Sequence, residues 1–486
     1  MIYRIQFTRG GVLMKMIIVE NNSSKPLYMQ IYEALKKEII SGELPKGYKL
    51  TSTRNLAETL KVSRNTVENA YLQLSSEGYI SSKAGSGFVV EKLDNTIISK
   101  LNEQRLKSKD DNNKIQKTST DRIYQYDFQY GNLSSSNFPI QLWRKISNKC
   151  LSTISTEDIM SYNSNKGEVE LQIEIMNYLN KSRGVYCSSE QVIISSGIGQ
   201  SLSLLCQLFR SDSNQIAIED PGYNGARNIF INNGYEVIPI GLDEDGIKIE
   251  DLENSSAKIV YVTPSHQFPT GAVMPISKRL KLLEWSVRRG GIIIEDDYDS
   301  ELRYKSRPIP AIQGISGAET VVYIGTFSKS LSPSLRMGYI VLPKPWVDIY
   351  DKCFSRYHAS VSLVQQRILQ QFMSLGYWER HLRKICISNK RKHDILINII
   401  NELIGEKVII HGKNAGLHII LEFNNGPDEK GLIDKAEYYG VKVYPVSAFW
   451  MRQEKYTNNM VLLGFGDMSE SEIVEGVKAL VKAWSL

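Results

Sequence analysis

The sequence predicts an α/β chain in two parts: an N-terminal winged helix-turn-helix, joined by a linker to a larger domain whose mainly parallel sheet carries helices on both faces. Short helical patterns and a Gly-punctuated hairpin fill residues 26–90, and a polar stretch follows them. Beyond it, short runs that are apolar at every position alternate with amphipathic helices, as parallel strands buried on both faces require. At 486 residues the chain exceeds one ordinary core, and 42% apolar with 23% charged residues is a globular composition.

Residues 1–25 read as an N-terminal extension. Arg4 and Arg9 precede an apolar stretch, but Lys15 interrupts it and no small-residue cleavage site follows, so no signal peptide is expected. Leu27, Ile31, Leu35 and Ile39, at steps of four, predict a helix from about Pro26 to Ser41, ended by the Gly42 to Gly47 stretch with Pro45. Ser52 caps a short helix through Leu60, Lys61-Val62 make the turn, and Ser63 caps a second helix through Glu77. The hairpin from Tyr79 to Val90 completes a winged helix-turn-helix over residues 26–90. Such a unit places its second helix in the major groove, N-terminus first. Ser63, Arg64, Asn65 and Thr66 then face base edges or phosphates of double-stranded DNA, with Arg54 at the backbone and Lys83 on the wing. Residues 26–90 hold eight Lys/Arg against six Asp/Glu, a net of +2, so one copy binds weakly and a dimer on repeated half-sites is expected.

Residues 91–125 read as a linker. Its polar core, Ser108-Lys109-Asp110-Asp111-Asn112-Asn113-Lys114, lacks the apolar area to offset ordering entropy. The 32 residues from Glu91 to Arg122 span about 30 Å as a flexible coil.

From 126 to 486, strands are expected at Gln191–Ile194, Gln215–Ile218, Lys258–Val262, Gly291–Ile294 and Thr320–Ile324. Among the intervening helices, the one around Ser277–Trp285 is expected to bury Leu280, Leu283 and Val287 on one face. Ligands of such sheets bind at the carboxyl ends of the strands. Lys329 follows one of these ends, with Thr326 three residues before it and Arg336 seven after. A lysine amine forms a Schiff base with an aldehyde, while a hydroxyl and a guanidinium hold a phosphate. Ser196-Gly197-Ile198-Gly199 opens a helix, so the free N–H groups of Ile198 and Gly199 add an anion site. Tyr223, after Asp220-Pro221-Gly222, can stack on a pyridine ring. Asp296 at a strand end can keep the ring nitrogen protonated, and Tyr298 can hydrogen-bond the phenolic oxygen. Singly, each of these is ordinary turn chemistry; their joint order carries the assignment.

The first segment resembles GntR-family DNA-binding domains in Thr53-Arg54-Asn55-Leu56-Ala57, Val62 to Val67 and Gly85-Ser86-Gly87, with Thr51 where the family usually has proline. The order Gly197 to Gly199, Tyr223, Asp296, Tyr298, Lys329, Arg336 resembles fold-type I aminotransferases. With Val262-Thr263-Pro264-Ser265-His266-Gln267-Phe268-Pro269-Thr270-Gly271, the chain is identified as a member of the MocR/GabR subfamily of GntR transcription regulators. The resemblance implies a pyridoxal 5'-phosphate (PLP)-dependent, fold-type I aminotransferase-like domain at 126–486, with a small C-terminal α+β subdomain. It implies a cytoplasmic, domain-swapped homodimer that binds a DNA operator and senses a small amine or amino-acid effector, or PLP itself, through aldimine chemistry at Lys329. The alternative is an active aminotransferase carrying a DNA-binding domain.

Two departures bear on that alternative. Phe268 stands where related aminotransferases have an asparagine on the phenolic oxygen, and Leu462 where they have the arginine that pairs with the substrate carboxylate. Arg227, Arg356 or another basic residue can substitute, and the sequence selects none. Five scattered cysteines without a Cys-x-x-Cys pair suit reduced thiols, and six histidines show no metal-ligand spacing. No run of about 18 apolar residues predicts a membrane span.

Overall fold

The computed structural model describes residues 19–20, 23–83, 87–93, 124–304, 309–316, 319–424 and 426–485. Most of the predicted extension and linker, with Gly85-Ser86 and the Lys83 side chain, lie outside the described residues. The chain forms two compact units, residues 1–122 and 123–486.

In the first unit, α1 (Leu27–Ile40) turns Ile31, Leu35 and Ile39 inward. α2 (Thr53–Leu60) starts at Ser52, whose Oγ accepts from the Asn55 amide at 3.2 Å. It stops at Lys61, where the left-handed φ of 53° makes the turn. Ser63 Oγ accepts from the Thr66 amide at 3.1 Å and so starts α3 (Arg64–Ser76). Val67, Ala70, Tyr71 and Leu74 of α3 join the α1 residues in one core. The Tyr71 hydroxyl donates to the Thr51 carbonyl at 2.8 Å, which ties α3 to the approach of α2. β1 (Ile80–Lys83) and β2 (Gly87–Val90) pair antiparallel, Ile80 opposite Val90 and Lys83 opposite Gly87, as the wing requires.

The second unit begins with β3 (Tyr126–Asp127) and is built on β4 (Val192–Ser195), β5 (Gln215–Asp220), β6 (Glu236–Asp243), β7 (Gly246–Ile247), β8 (Ile259–Val262), β9 (Ile292–Asp297), β10 (Val321–Thr326) and β11 (Gly338–Val341). Their order in the sheet is β4-β11-β10-β9-β8-β5-β6-β7. β10, β9, β8, β5 and β6 are mutually parallel, so their carboxyl ends share one edge. β11 runs antiparallel to both β10 and β4. Residues 327–337 therefore form a hairpin connection starting from the carboxyl end of β10, which sets Lys329 and Arg336 on that edge.

A smaller antiparallel sheet follows, built of β12 (Val408–His411), β13 (His418–Phe423), β15 (Tyr444–Pro445) and β16 (Met460–Gly464), in the order β12-β13-β16-β15. Helices Tyr377–Leu403, Glu429–Tyr438 and Glu470–Trp484 share its core. β14 (Val441–Lys442) pairs with β3, anchoring the start of this unit to its C-terminal part.

One expected face is wrong. In the helix Ile276–Arg289, Leu280 and Val287 are 49% and 73% exposed, while Arg279, Leu282, Leu283, Trp285 and Ser286 are buried. Trp285 is the largest apolar group of the stretch and turns the helix to bury itself against the sheet core. Arg279 follows it inward because the carbonyls of Met274, Pro264 and Pro310 accept from its guanidinium at 2.8, 3.0 and 2.6 Å. Urea denaturation checks this orientation: Trp285→Ala is expected to lose about 3–5 kcal/mol, and Leu280→Ala less than about 0.5 kcal/mol.

Candidate functional site

The parallel edge opens into a cavity of about 200 Å³ lined by residues from five of its loops and from the segment after β3. Ile198, Tyr223, Asp296, Tyr298, Thr326, Lys329 and Arg336 all line it, so seven of the eight residues expected to hold the cofactor converge. Gly199 is not on its wall: one residue into the helix Ile198–Leu208, it has rotated past the opening, and its carbonyl accepts from Ser203 Oγ at 2.9 Å. Tyr130, Gly131, Tyr261, Thr263, Phe268, Ser328 and Pro333 complete the lining.

Lys329 Nζ sits 4.0 Å from the centre of the Tyr130 ring and makes no hydrogen bond among the described residues. Gly131, at φ 111°, lets the chain pass there, since a Cβ would lie 3.2 Å from that amine. Burial lowers the Lys329 pKa to about 8, against the opposing pull of Asp299. A fraction of the amine is therefore neutral, and nucleophilic, near neutral pH.

Asp296 is buried, and its Oδ2 accepts from the Tyr261 hydroxyl. Burial raises its pKa to about 7, with Asp297 and Asp299 adding to the rise and the Tyr261 bond opposing it. A carboxyl held in this state regains its charge when a cation is placed against it.

One end of the cavity is suited to an anion. The Arg336 guanidinium makes no hydrogen bond or ion pair among the described residues, and its Nη2 lies 2.8 Å from where a Gly197 Cβ would stand. Gly197 takes φ 102° at the start of the helix Ile198–Leu208, leaving guanidinium and helix N-terminus facing one space. Thr326 Oγ1 accepts from the Ser328 amide at 3.1 Å and is 3.0 Å from its hydroxyl. Room for an anion at one end, an amine within reach and a carboxyl deep in the site fit PLP.

The Tyr298 ring lines the cavity, but its hydroxyl donates to the His266 carbonyl at 2.8 Å and lies 3.0 Å from His266 Nδ1. That nitrogen is 2.8 Å from Asp299 Oδ2. Phe268, in the place of the expected asparagine, is ringed by Tyr130, Tyr223, Tyr298, His418 and Phe449 at centroid distances of 4.9 to 6.0 Å. Leu462 is buried on β16 beside Ile420 and Val446. Arg227 donates to the Ala448 carbonyl at 3.0 Å, and neither it nor Arg356 lines the cavity.

Three lining residues escaped the sequence reading. Tyr261 is the one hydroxyl in the aliphatic run of β8, a signal that its neighbour Asp296 makes interpretable only after the strands are paired. Tyr130 and Gly131 reach the site through packing, without a local motif.

On the first unit, the Arg54 and Arg64 side chains are 79% and 66% exposed, held loosely by Glu58 and Glu68 one turn along. Asn65 is exposed beside Arg64. Ser63 Oγ and Thr66 Oγ1 are 2.7 Å apart, so both hydroxyls serve the start of α3.

Residues 125–455 match the family described as aminotransferase class I and II, and residues 27–90 match bacterial regulatory proteins, gntR family. The chain is 41% identical over 461 residues to the uncharacterized HTH-type transcriptional regulator YdeL of Bacillus subtilis (strain 168), covering 95% of this chain and 97% of that protein. It is 32% identical over 478 residues to the probable rhizopine catabolism regulatory protein MocR of Rhizobium meliloti, covering 96% of each. Among solved structures, the Pyrococcus horikoshii kynurenine aminotransferase, in complex with PMP, superposes with a TM-score of 0.67 at 27% identity, over 79% of this chain and 94% of that one. No helix among the described residues is long and apolar enough to cross a membrane.

The Asp296 carboxyl gives the site a pH signature. The unfolded chain sheds that proton at about pH 4, and the folded protein without cofactor does so at about 7. Between those values the folded state holds the extra proton, so this contribution to stability falls as pH rises and levels off above about 7. In urea melts of cofactor-free protein from pH 5 to 8, Asp296→Asn is expected to remove up to about 1.4 kcal/mol per pH unit of that slope.

Proposed function

The chain belongs to the transcription regulators that join a gntR-family reader to an aminotransferase class I and II domain, and on that premise we propose that it is a PLP-binding regulator whose DNA occupancy responds to an amino compound arriving at Lys329. The observation that carries this reading is the convergence of Lys329, Asp296 and Arg336 on one cavity of a chain that also bears an exposed Arg64 at the start of α3. When bound, PLP supplies an aldehyde that condenses with primary amines and a ring that withdraws electrons.

The chain's own residues do the rest. Arg336 and the helix N-terminus at Ile198 hold the phosphate, Thr326 adds a hydroxyl, and Tyr223 covers the ring. Asp296 ionises against the ring nitrogen and keeps a proton there, with Tyr261 donating to its other side. Lys329, whose depressed pKa favours the neutral amine, would be the residue that holds the aldehyde and for whose place an incoming amine would compete. A ligand that engages the site differently in two arrangements of the protein shifts the balance between them. On the reader, Arg64 and Asn65 contact base edges, Arg54 the backbone and Lys83 the wing-side phosphates, while Ser63 and Thr66 present the helix N-terminus. The working form we propose is a homodimer in which each reader packs on the partner's PLP-binding domain. The working aminotransferase is the less favoured reading, because Leu462 and its neighbours offer no cation for a substrate carboxylate.

Absorbance spectra and gel shifts on the protein's own promoter test this. Lys329→Ala is expected to lose the near-visible cofactor band while keeping its fold and cofactor-free DNA binding. Arg64→Ala is expected to keep the band and lose at least about tenfold in operator affinity, the order of one bidentate base contact. A band that survives Lys329→Ala, or operator affinity unchanged in Arg64→Ala, contradicts the corresponding assignment.

A further inference from the structure

His266 is not on the cavity wall, yet two residues that are on it depend on where it sits. It lies on the loop after β8 and is 2% exposed. The Tyr298 hydroxyl donates to the His266 carbonyl at 2.8 Å and lies 3.0 Å from His266 Nδ1, and that nitrogen is 2.8 Å from Asp299 Oδ2. A hydroxyl has one hydrogen to give and an ionised carboxylate only accepts, so His266 Nδ1 carries a hydrogen and donates it to Asp299. Backbone and ring of one residue thus meet the far end of Tyr298 together. Two positions on, the same loop sets Phe268 on the wall, its ring edge-on to that of Tyr298 at 6.0 Å.

The imidazole occupies a fitted slot. Gly416, in the turn between β12 and β13, takes φ 79°, and a Cβ there would stand 2.3 Å from His266 Cε1 and 2.8 Å from Asp299 Oδ2. Only a glycine lets that turn close over the pair. The Gly416 amide donates to the Leu302 carbonyl at 2.8 Å, and its own carbonyl accepts from the Tyr304 hydroxyl at 2.5 Å, so the turn is held down. The His418 ring lies 5.6 Å from that of His266, and its Nε2 donates to the Pro269 carbonyl at 2.9 Å, which fastens β13 to the loop after β8. Turning His266 out of this slot breaks buried polar bonds, and each costs more to leave unmade than it gains when made.

We propose that His266 is a positioning residue for the cofactor and that it acts through the Tyr298 hydroxyl. The proposal rests on the PLP reading above. A tyrosine ring has two side-chain torsions, and the second is broad. Tying its hydroxyl at the far end leaves one ring orientation facing the cavity. Asp299 contributes by holding the imidazole in the orientation that keeps Nδ1 beside that hydroxyl. Buried networks of this kind act as a unit, so removing either end of the His266–Tyr298 contact removes the same restraint.

A double-mutant cycle on the full-length protein tests that route. PLP is titrated into cofactor-free protein and followed by the near-visible band, for His266→Phe, Tyr298→Phe and the two combined. His266→Asn, whose side-chain amide puts a donor near the place of Nδ1, is the conservative variant. Each Phe substitution is expected to raise the PLP Kd about three- to tenfold, the order of one buried hydrogen bond, and to shift the band maximum. The combined variant is expected to lose no more than about twofold beyond the larger single loss, and His266→Asn to recover most of the affinity and the wild-type maximum. Circular dichroism follows the fold, and His266→Ala replaces His266→Phe in the cycle if the larger ring unfolds the protein. Losses that multiply in the combined variant, an unchanged Kd in the His266 variant of the cycle, or a His266→Asn no better than that variant overturns this inference alone. A wild-type protein that forms no cofactor band overturns the PLP reading and this inference with it.

Discussion

The second unit is organised around the burial of four carboxylates at the end of β9. Glu295, Asp296, Asp297 and Asp299 are all less than a tenth exposed, and each must find donors or give up its charge. The pleat of the strand sorts them. Glu295 and Asp297 point one way, where Glu295 accepts from the Ile312 and Gln313 amides, and Asp297 from Arg183, Ser300 and Tyr323. Asp296 points the other way, into the cavity, with Tyr261 as its hydroxyl partner. Asp299, past the strand, faces His266. The same desolvation that makes this run costly makes it useful, since the one carboxyl left facing open space is the one poised to respond to a cation.

Satisfying those carboxylates fixes much else. Arg183 is drawn into the interior to meet Asp297, and on the way it donates to Ser265 and to the Ile309 carbonyl, tying the loops on both sides of β9. Tyr298 and Asp299 converge on His266, so the loop after β8 is held to the loop after β9. Glu219 at the end of β5 is raised to about 7 by burial and accepts from Thr263 and Gln267. The cavity edge is thus a mesh of buried polar bonds, each of which loses more when broken than it gains when made. Such a mesh holds Lys329 and Arg336 in place although, among the described residues, neither side chain makes a hydrogen bond or an ion pair.

The reader unit obeys a simpler rule. Its helices begin where a serine can cap them and end where the chain can turn left-handed, and its core is aliphatic with Tyr71 at the centre. Such features are local, and they were legible from Ser52, Lys61 and Ser63 without any knowledge of packing. The cavity-lining residues of the larger unit were legible for a related reason. Tyr223, Asp296, Lys329 and Arg336 lie just at or beyond strand ends, and parallel strands bring all such ends to one edge. Gly199 lies off the wall that Ile198 lines because a helix rotates by about 100° per residue. Leu280 and Val287 failed because a hydrophobic stripe does not say which of two apolar faces the heaviest side chain will claim.

The sequence by itself determined the two-unit architecture, the strand-end placement of Lys329 and the two exposed arginines of the reader, because each depends on contacts a few residues apart or on the alternation rule of parallel sheets. Only the tertiary structure decided that the Lys329 amine sits over the Tyr130 ring, that Tyr261 serves Asp296, and that Phe268 packs on Phe449. Tyr261 and Asp296 lie 35 residues apart in the chain, and the other two pairs roughly 180 to 200. Bringing them together is a collective result of burying one large sheet against its helices and loops, and no local pattern encodes it.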